Sequence, residues 1–406
     1  MKRNCLICGI FTTLVMYNIW GQDYRTVTEP HRIILNLTEN PSSSIAVTWR
    51  TIDEVQSSQV QFAIATNWTE FEQIAKSVPS KTDQIILDNG QTVYHHSAIL
   101  NNLVPNTLYA YRVGNDSDWS EWNQFKTASD KNTPFDFVYF GDMQHDIKKF
   151  GSRLFREAYK KTTTAEFWLS TGDLTDKAEL DEQWEEVFDA FGFIPRTIPF
   201  VLTTGNHEYP DIVINGIEKE IRAKLWNTHI TQPSNIIEGL EETVFSFVYQ
   251  GVRFVILNSN EKLTEQSEWL DNLLSNNSCK WIIVALHRPL YSMGKNRDQR
   301  SSRNAFLEIF DKYNVDLVLQ GHDHVYSRSK KLRADQVVAE GEPGTIYVVS
   351  QCGSDAYKIG SPYTSLAEIL SNEVQLFQVI SVDENRISFK AFTATNSLHD
   401  SFELVK

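Results

Sequence analysis

The chain has 406 residues, which is more than one hydrophobic core usually serves, so its length predicts two domains. Apolar residues make up 41% and charged residues 22%, the balance of a globular protein rather than a disordered one. The formal net charge of -14 argues against nucleic acid and anionic lipid as partners, because a negative surface repels both at long range. A phosphate substrate would meet the same repulsion unless bound metal cations reversed the field locally.

The first 21 residues have the pattern of a signal peptide, which predicts an exported protein, secreted or periplasmic. Residues 2–3 are basic, residues 6–20 are mostly apolar and uncharged, and Gly21 offers a small residue for cleavage. The apolar stretch is shorter than the ~20 residues that a membrane span needs, so cleavage is favoured over a stable membrane anchor. The mature chain then has Cys279 and Cys352, and the sequence leaves open whether they pair in an oxidising compartment.

Residues 22–127 are predicted to form an all-β sandwich. Short strand-like runs recur from about residue 30, separated by turn signals such as Asn40-Pro41 and Asn89-Gly90. No stretch of this region has helix-length periodicity, which favours a sandwich. His95 and His96 are neighbours in one predicted strand and so point to opposite faces, and we expect one to be packed and the other solvated.

A polar linker, residues 128–134, precedes a second domain over residues 135–406 whose pattern is that of an α/β fold. Strands alternate with helices there, which predicts sheets flanked by helices. The predicted helices cover 147–161, 182–193, 264–274 and 303–313. The predicted strands include 135–140, 166–170, 200–202, 253–257, 281–286 and 315–319.

Five of these predicted strands are followed by residue types that bind metal ions. The segments are Phe140-Gly141-Asp142-Met143-Gln144, Gly172-Asp173-Leu174-Thr175-Asp176, Gly205-Asn206-His207-Glu208, Ala285-Leu286-His287-Arg288-Pro289 and Gly321-His322-Asp323-His324. Ligands of open α/β sheets lie beyond the carboxyl ends of the strands, so the five segments can converge on one crevice. Their carboxylates, amide oxygen and imidazoles are enough for two ions held about 3.5–4 Å apart, a site suited to in-line displacement at phosphorus. Each motif alone is weak, and the prediction depends on their joint order and context.

The order of these motifs resembles that of the calcineurin-like metallophosphoesterase superfamily and, within it, the purple acid phosphatases. The specific matches are the run 316–326 around Gly321-His322-Asp323-His324 and the run His287-Arg288-Pro289-Leu290-Tyr291. The resemblance covers the chain from Pro134 to its end. It extends to the N-terminal region, because purple acid phosphatases carry a fibronectin-type β-sandwich before the catalytic domain. The implied activity is that of an acid phosphatase-like enzyme acting on a small phosphate ester.

The resemblance also implies a role for each motif residue. The implied metal ligands are Asp142 and His324 for the first ion, Asn206, His287 and His322 for the second, and Asp173 as the bridge between them. Asp173 and His207 are the implied catalytic residues, with His207 over the leaving-group side. The implied cofactors are two divalent metal ions, with Mn, Zn and Fe as candidates. The substrate-binding residues are not indicated.

One position departs from the family pattern. The metal-bound tyrosine of purple acid phosphatases should stand three residues after Asp173, and here that residue is Asp176. Without this phenolate we expect a colourless enzyme that works with divalent ions. Gln144 is either a ligand of the first metal or a donor that contacts one of its ligands. Asp176 is a ligand, an acceptor for a metal-bound histidine, or the N-cap of the following helix.

The sequence therefore predicts an exported binuclear phosphoesterase, most simply a phosphomonoesterase in which a metal-activated hydroxide attacks phosphorus in line. A phosphodiesterase or nucleotidase would use the same ligands, because only the pocket walls would differ. An exported binding or adhesion protein with a decayed catalytic domain is a further alternative, although decay should erase ligands and all six are present. The natural substrate, the metal pair and the oligomeric state are left open.

Overall fold

The computed structural model describes residues 28–214, 216–234 and 237–406, and the predicted signal peptide lies outside them. Its α-helices are α1 (Ser152–Lys161), α2 (Asp181–Phe191), α3 (Trp226–His229), α4 (Leu263–Ser275) and α5 (Arg300–Tyr313). The four predicted helices are present with small shifts at their ends, and the first turn of the predicted 147–161 helix is a separate wider turn, Ile147–Gly151. Among the described residues, no helix is long and apolar enough to cross a membrane.

The strands fall into an N-terminal and a C-terminal group. The N-terminal strands are β1 (His31–Leu37), β2 (Ile45–Thr51), β3 (Gln59–Ile64), β4 (Lys76–Pro79), β5 (Lys81–Ile86), β6 (Thr92–Leu100), β7 (Leu108–Gly114) and β8 (Asn123–Lys126). The following strands are β9 (Phe135–Phe140), β10 (Phe167–Ser170), β11 (Phe200–Leu202), β12 (Asp211–Ile214), β13 (Ile217–Glu220), β14 (Phe245–Tyr249), β15 (Val252–Ile256), β16 (Trp281–Ala285) and β17 (Leu317–Gln320). The last strands are β18 (Tyr326–Ser329), β19 (Leu332–Arg333), β20 (Gln336–Val337), β21 (Ile346–Val349), β22 (Ala367–Ser371), β23 (Leu376–Val382), β24 (Arg386–Thr393) and β25 (Leu398–Val405).

The N-terminal region is a β-sandwich, as predicted. The sheet β4-β3-β7-β8 faces the strands β1-β2-β6-β5, and all these neighbours pair antiparallel. Trp49 from one layer and Tyr111 and Phe125 from the other are fully buried in the shared core. The alternation of apolar and polar residues along these strands gives each layer one face that packs on the other.

The sandwich and the α/β region share one sheet, which the prediction of two domains did not foresee. The ten-stranded sheet runs β25-β24-β23-β9-β10-β11-β1-β2-β6-β5, so β1 continues the sheet of the α/β region beyond β11. The junction is a short parallel pairing of Asn36 with Phe200. The Asn36 side chain strengthens it by donating a hydrogen bond from Nδ2 to the Phe200 carbonyl, at 3.1 Å.

The α/β region is a four-layer arrangement. A seven-stranded sheet, β14-β15-β16-β17-β21-β18-β22, faces the ten-stranded sheet, and aromatic rings such as Phe137 and Phe254, 5.4 Å apart, fill the interface. α1 and α2 cover the outside of the ten-stranded sheet, and α4 and α5 cover the outside of the other. Cys352 is buried, Cys279 is half-buried, and no disulfide joins them.

The expectation for the two adjacent histidines of β6 is wrong, because both are buried. His96 stacks on Trp49 at 5.4 Å inside the sandwich. His95 points the other way, toward the α/β region, where it contacts the Thr228 carbonyl at 3.0 Å and the ring of His229 at 4.6 Å. The face that a lone sandwich would leave solvated is covered by α3.

Charged residues surround His95 and form what we call the interdomain cluster. Its members are His31, Arg32, Arg50, His95, Asp181, Glu185 and His229. Arg32 and Arg50 both contact the Asp181 carboxylate, at 2.6 and 2.7 Å, and Arg32 also pairs with Glu185 at 2.7 Å. The two guanidinium groups come from the sandwich and the two carboxylates from α2, so this cluster ties the regions together by paired charges.

Candidate metal centre

The five motif segments meet at one edge of the two sheets. β9, β10 and β11 are parallel neighbours in one sheet, and β15, β16, β17 and β21 are parallel neighbours in the other. Their carboxyl ends therefore point the same way, and the loops that follow β9, β10, β11, β16 and β17 come together in space. The convergence expected from the sequence is thus present in the fold.

The carboxylates and imidazoles of these loops form two groups that could each hold a cation. Asp173, His287 and His322 form one group, and Asp142, Asp173 and His324 form the other, with the donor atoms of each group within 4.8 Å of one another. The residues involved are all buried. Asp173 belongs to both groups, which is the position of a bridging carboxylate. The structure thus brings together five of the six predicted core ligands in two groups.

Asn206, the sixth predicted ligand, lies beside the first of these groups. Its Oδ1 is 3.1 Å from His287 Nε2, which is itself 3.1 Å from Asp173 Oδ2. His287 Nδ1 lies 2.8 Å from the Thr171 carbonyl, so a proton on Nδ1 is used there and Nε2 is left to face the group. His322 turns its Nδ1 inward, 3.2 Å from His287 Nε2.

The backbone of several residues in these loops has a left-handed conformation, which residues other than glycine rarely adopt. Asp142, Asp173, His322 and His324 have φ angles of 55°, 52°, 74° and 47°. Such strain persists only where the surroundings impose it, and its concentration here indicates a functional site. Gly205 permits the close approach, because a Cβ there would lie 2.0 Å from the Asp173 Oδ1 atom.

The electrostatics of these side chains favour a cation between them. Burial raises the pKa of Asp142, and the nearby Asp173 carboxylate raises it further against the lowering effect of His287. Burial alone would also raise the pKa of Asp173, but the His287 imidazole outweighs it and keeps the pKa below its ordinary value. Two carboxylates buried this closely repel each other unless positive charge separates them.

The donor set fits divalent metal ions. Within the described residues, the buried atoms Asp142 Oδ2 and Gln144 Oε1 have no hydrogen-bond partner. Buried acceptors without partners are costly, and two of them at the edge of paired donor groups point to a cation as the missing partner. Carboxylate and amide oxygens with imidazoles suit Mn, Zn and Fe(II), the ions expected from the sequence.

Gln144 lies against the second group. Its Nε2 donates to Asp173 Oδ2 at 3.1 Å and lies 2.8 Å from His324 Nε2. The carboxamide is fully buried, so neither of its ends faces solvent. Contact with two candidate ligands is compatible with either role predicted for Gln144, because the amide can offer its oxygen to an ion or its nitrogen to a ligand.

Asp176, which stands where the family has its tyrosine, belongs to neither donor group. Its Oδ1 lies 3.0 Å from His145 Nε2 and 3.3 Å from His207 Nδ1, and its backbone carbonyl lies 2.8 Å from His207 Nδ1. The N-cap prediction for Asp176 is wrong, because α2 begins at Asp181 with Leu180 as its N-cap. The Asp176 backbone carbonyl can accept a hydrogen bond from His207 Nδ1, and the Asp176 carboxylate lies beside both histidines at the mouth of the centre.

Three residues at the site were missed by reasoning from the sequence. Glu208 is fully buried and accepts the backbone N–H groups of Asp173 at 2.9 Å and Gly205 at 2.7 Å, so it ties two ligand loops together. His145 bridges toward Asp176, and Tyr357 stacks flat on His324 with ring centres 4.3 Å apart. Glu208 stood inside a quoted motif, but no pattern singled out the other two.

Comparison with known proteins matches both regions to family models. Residues 30–127 match the purple acid phosphatase N-terminal domain, and residues 135–326 match the calcineurin-like phosphoesterase family. The chain therefore combines the N-terminal domain of the purple acid phosphatases with a calcineurin-like phosphoesterase domain. The family and the fold class expected from the sequence are both confirmed. The model for the phosphoesterase family spans all five motif segments of this chain.

Individual relatives of this chain are distant in sequence. An uncharacterized protein of Mycobacterium tuberculosis is 26% identical over 78% of this chain, and Fe(3+)-Zn(2+) purple acid phosphatase 12 of Arabidopsis thaliana is 24% identical over 75%. The chain spans 65% and 66% of their lengths, respectively. A purple acid phosphatase from yellow lupin seeds has the same fold, with a TM-score of 0.78 at 20% identity, over 93% of this chain and 74% of the lupin chain.

Proposed function

We propose that this protein is an exported phosphomonoesterase that depends on two divalent metal ions. The observation that carries the proposal is the Asp173 carboxylate, which two adjacent donor groups share. Family membership and the relative named a purple acid phosphatase support a phosphate ester as substrate. Export rests on the N-terminal pattern of the sequence, and the N-terminus of the protein purified from its source would test it, with Gln22 expected first.

The six core residues would hold the ions. Asp142 and His324 would hold one ion, Asn206, His287 and His322 the other, and Asp173 both. Bound there, the two ions would ionise a water molecule as the nucleophile and neutralise charge on the phosphoryl oxygens. The protein contributes a buried, rigid edge in which these side chains are fixed before substrate arrives, so no reorganisation is required at reaction.

His207 is the residue that we propose as proton donor to the leaving group. Its side chain is 27% exposed, so it stands at the mouth of the centre rather than within it. Its Nδ1 faces the Asp176 carbonyl at 2.8 Å, which fixes a proton there and directs Nε2 inward, 4.0 Å from Asp173 Oδ2. When His207 is protonated, Nε2 can give its proton to the ester oxygen as the bond to phosphorus breaks.

The proposal is tested by measuring metal content and activity on the same preparation. We expect about two ions per chain and hydrolysis of an aryl phosphate monoester that exceeds hydrolysis of the matching diester. Removing the ions with a chelator should abolish turnover, and adding Mn or Zn should restore it. A preparation that holds two ions and hydrolyses only the diester would contradict the monoesterase assignment. One that binds no metal would contradict the centre itself.

A further inference from the structure

A shallow pocket of about 340 Å³ lies beside the candidate metal centre and is unusually basic. It is lined by Lys295, Asn296, Arg297, Tyr357 and Lys358. Three of these five residues are cations and none is acidic, although the chain as a whole has a net charge of -14. We call it the cationic pocket. A concentration of positive charge against the sign of the whole protein creates a local field that attracts anions.

The cationic pocket and the metal centre share a wall. The ring of Tyr357 lies flat on His324, 4.3 Å between centres and 1° between planes. The Arg297 guanidinium lies over the Tyr357 ring, 4.9 Å from its centre, and Arg297 Nη2 contacts His322 Nε2. Two candidate ligands, His324 and His322, therefore contact residues of the pocket lining.

The two lysines of the pocket are available to bind an anion. Both are exposed, and in the described part of the chain neither forms a salt bridge, whereas Arg297 is held by Asp323 at 3.1 Å. The nearest segments are fixed to each other, because the Lys295 N–H donates to the Lys358 carbonyl at 2.7 Å. This backbone hydrogen bond holds the two lysine-bearing segments side by side. Both lysine residues are exposed to solvent.

The carboxylates that neighbour the pocket in sequence are engaged elsewhere. Asp298 pairs with Arg300 at 2.6 Å, and Asp355 lies 3.1 Å from His145 Nδ1. They do not neutralise the lysines. The charges of the two lysines are therefore not paired within the described residues, whereas the charge of Arg297 is paired with Asp323.

We propose that the cationic pocket binds a second phosphate group of the substrate, so that the preferred substrates are small molecules with two phosphate groups. This inference rests on the proposed phosphomonoesterase function, because the first phosphate group occupies the metal centre. The two lysines supply the charge, and Arg297 supplies a planar donor at the boundary between pocket and centre. A substrate with a single phosphate group has no second phosphate for these cations to bind.

The first test compares a diol monophosphate with the corresponding bisphosphate, in wild type and in the double variant Lys295→Gln/Lys358→Gln. We expect kcat/KM for the bisphosphate to fall roughly three- to thirtyfold in the variant, as two exposed ion pairs are lost. The monophosphate should change by no more than about twofold, since only the long-range field is altered. The matched control is Lys76→Gln/Lys81→Gln, which removes the same charge from the far edge of the β-sandwich and should leave the preference intact.

The second test needs neither turnover nor bound metal. Methylenediphosphonate, a diphosphate analogue that is not hydrolysed, is titrated calorimetrically into chelator-treated protein. Wild type and the Lys76/Lys81 control should bind it more tightly than the Lys295/Lys358 variant by a similar factor, and added salt should remove the difference. Equal binding by all three proteins, or equal loss on both substrates, overturns the inference. If wild-type protein hydrolyses neither substrate, the proposed function is contradicted instead. The titration then still decides whether the lysines of the cationic pocket bind the diphosphate analogue.

Discussion

The metal centre and the interdomain cluster are both buried assemblies of histidines and charged groups, yet they are built on opposite principles. In the interdomain cluster every charge meets an opposite one, with Arg32 and Arg50 both on Asp181. In the metal centre, Asp142 and Asp173 lie together and the buried Asp142 Oδ2 has no partner in the described protein. The charges of the first cluster are paired within the protein, whereas the arrangement of the second favours a cation.

The backbone separates the two clusters in the same way. Four candidate ligands of the centre have positive φ, while in the interdomain cluster only Arg32 does, at 51°. A cluster that serves stability can use regular strands and helices, because its members need only find partners. A centre that must aim donor atoms at one point depends on loops held in strained conformations. Buried metal-ligand atoms that lack a partner and lie on strained loops therefore indicate a functional site more strongly than buried charge alone does.

The largest effect should come from the shared carboxylate. Asp173→Asn keeps the shape and removes the charge that both donor groups use, so we expect loss of at least one metal and of activity by roughly a hundredfold or more. The fold should remain, as judged by circular dichroism. Asp189→Asn, on the exposed side of α2, serves as the control. A variant that keeps two ions and near-normal turnover would show that Asp173 is not the bridge.

Replacing the proposed proton donor should separate chemistry from metal binding. His207→Ala should lower kcat by about 10²–10⁴-fold and leave metal content unchanged, because His207 lies at the mouth and outside both donor groups. The loss should shrink for an activated aryl phosphate, whose leaving group needs no proton. The rates are compared with those of an alkyl phosphate. An equal loss on both substrates would assign His207 to binding or structure.

The interdomain cluster should respond in stability rather than in metal content. Asp181→Ala leaves two buried guanidinium groups short of their shared partner, and we expect the free energy of unfolding to fall by about 3–5 kcal/mol. Chemical denaturation measures it. Asp189→Ala on the same helix removes only an exposed pair with Lys148 and should cost less than about 1 kcal/mol. Similar losses in both variants would mean that the cluster adds no stability of its own.

Acid should weaken the interdomain cluster. Burial and the nearby Arg50 lower the pKa of His31 to about 4 and that of His95 to about 3, from an ordinary 6.5. Since the folded pKa is the lower one, the stability is intact above pH 6.5 and is lost as pH falls below it, by up to about 1.4 kcal/mol per pH unit for each histidine. In chelator-treated protein, His95→Gln should flatten the pH dependence of the unfolding free energy between pH 7 and 5. An unchanged slope would exclude His95 as a source.

The smallest expected effect is an absence of colour. Asp176 replaces the family's tyrosine, and the hydroxyls of Tyr209, Tyr291 and Tyr326 bond to Glu261, Asp335 and Asp400 rather than to the centre. The iron-loaded, oxidised protein should therefore show no strong visible band. Tyr357 stacks on His324, so it is a further tyrosine beside the centre that the spectrum should test. A band that disappears in Tyr357→Phe or in any of the other three Tyr→Phe variants would reverse this prediction.

The sequence determined much of this protein because its signals are local. Strand alternation, helix spacing and the position of each motif after a strand are properties of short segments, and these sufficed for the fold class, the family and the candidate ligands. The pairing of Asp142 with His324 was implied by the family resemblance, because the strands before them lie in two different sheets.

Only the tertiary structure decided how distant segments meet. No sequence pattern near His95 predicts that α3 covers it. Likewise, no pattern near Arg32 or Arg50 predicts Asp181 as their partner. The joining of β1 to β11 and the approach of Lys358 to Lys295 likewise depend on long-range packing. Such contacts are chosen by shape and charge across the folded chain, for which a single sequence has no periodic signal. The local pattern therefore specified the ligands, and packing specified what surrounds them.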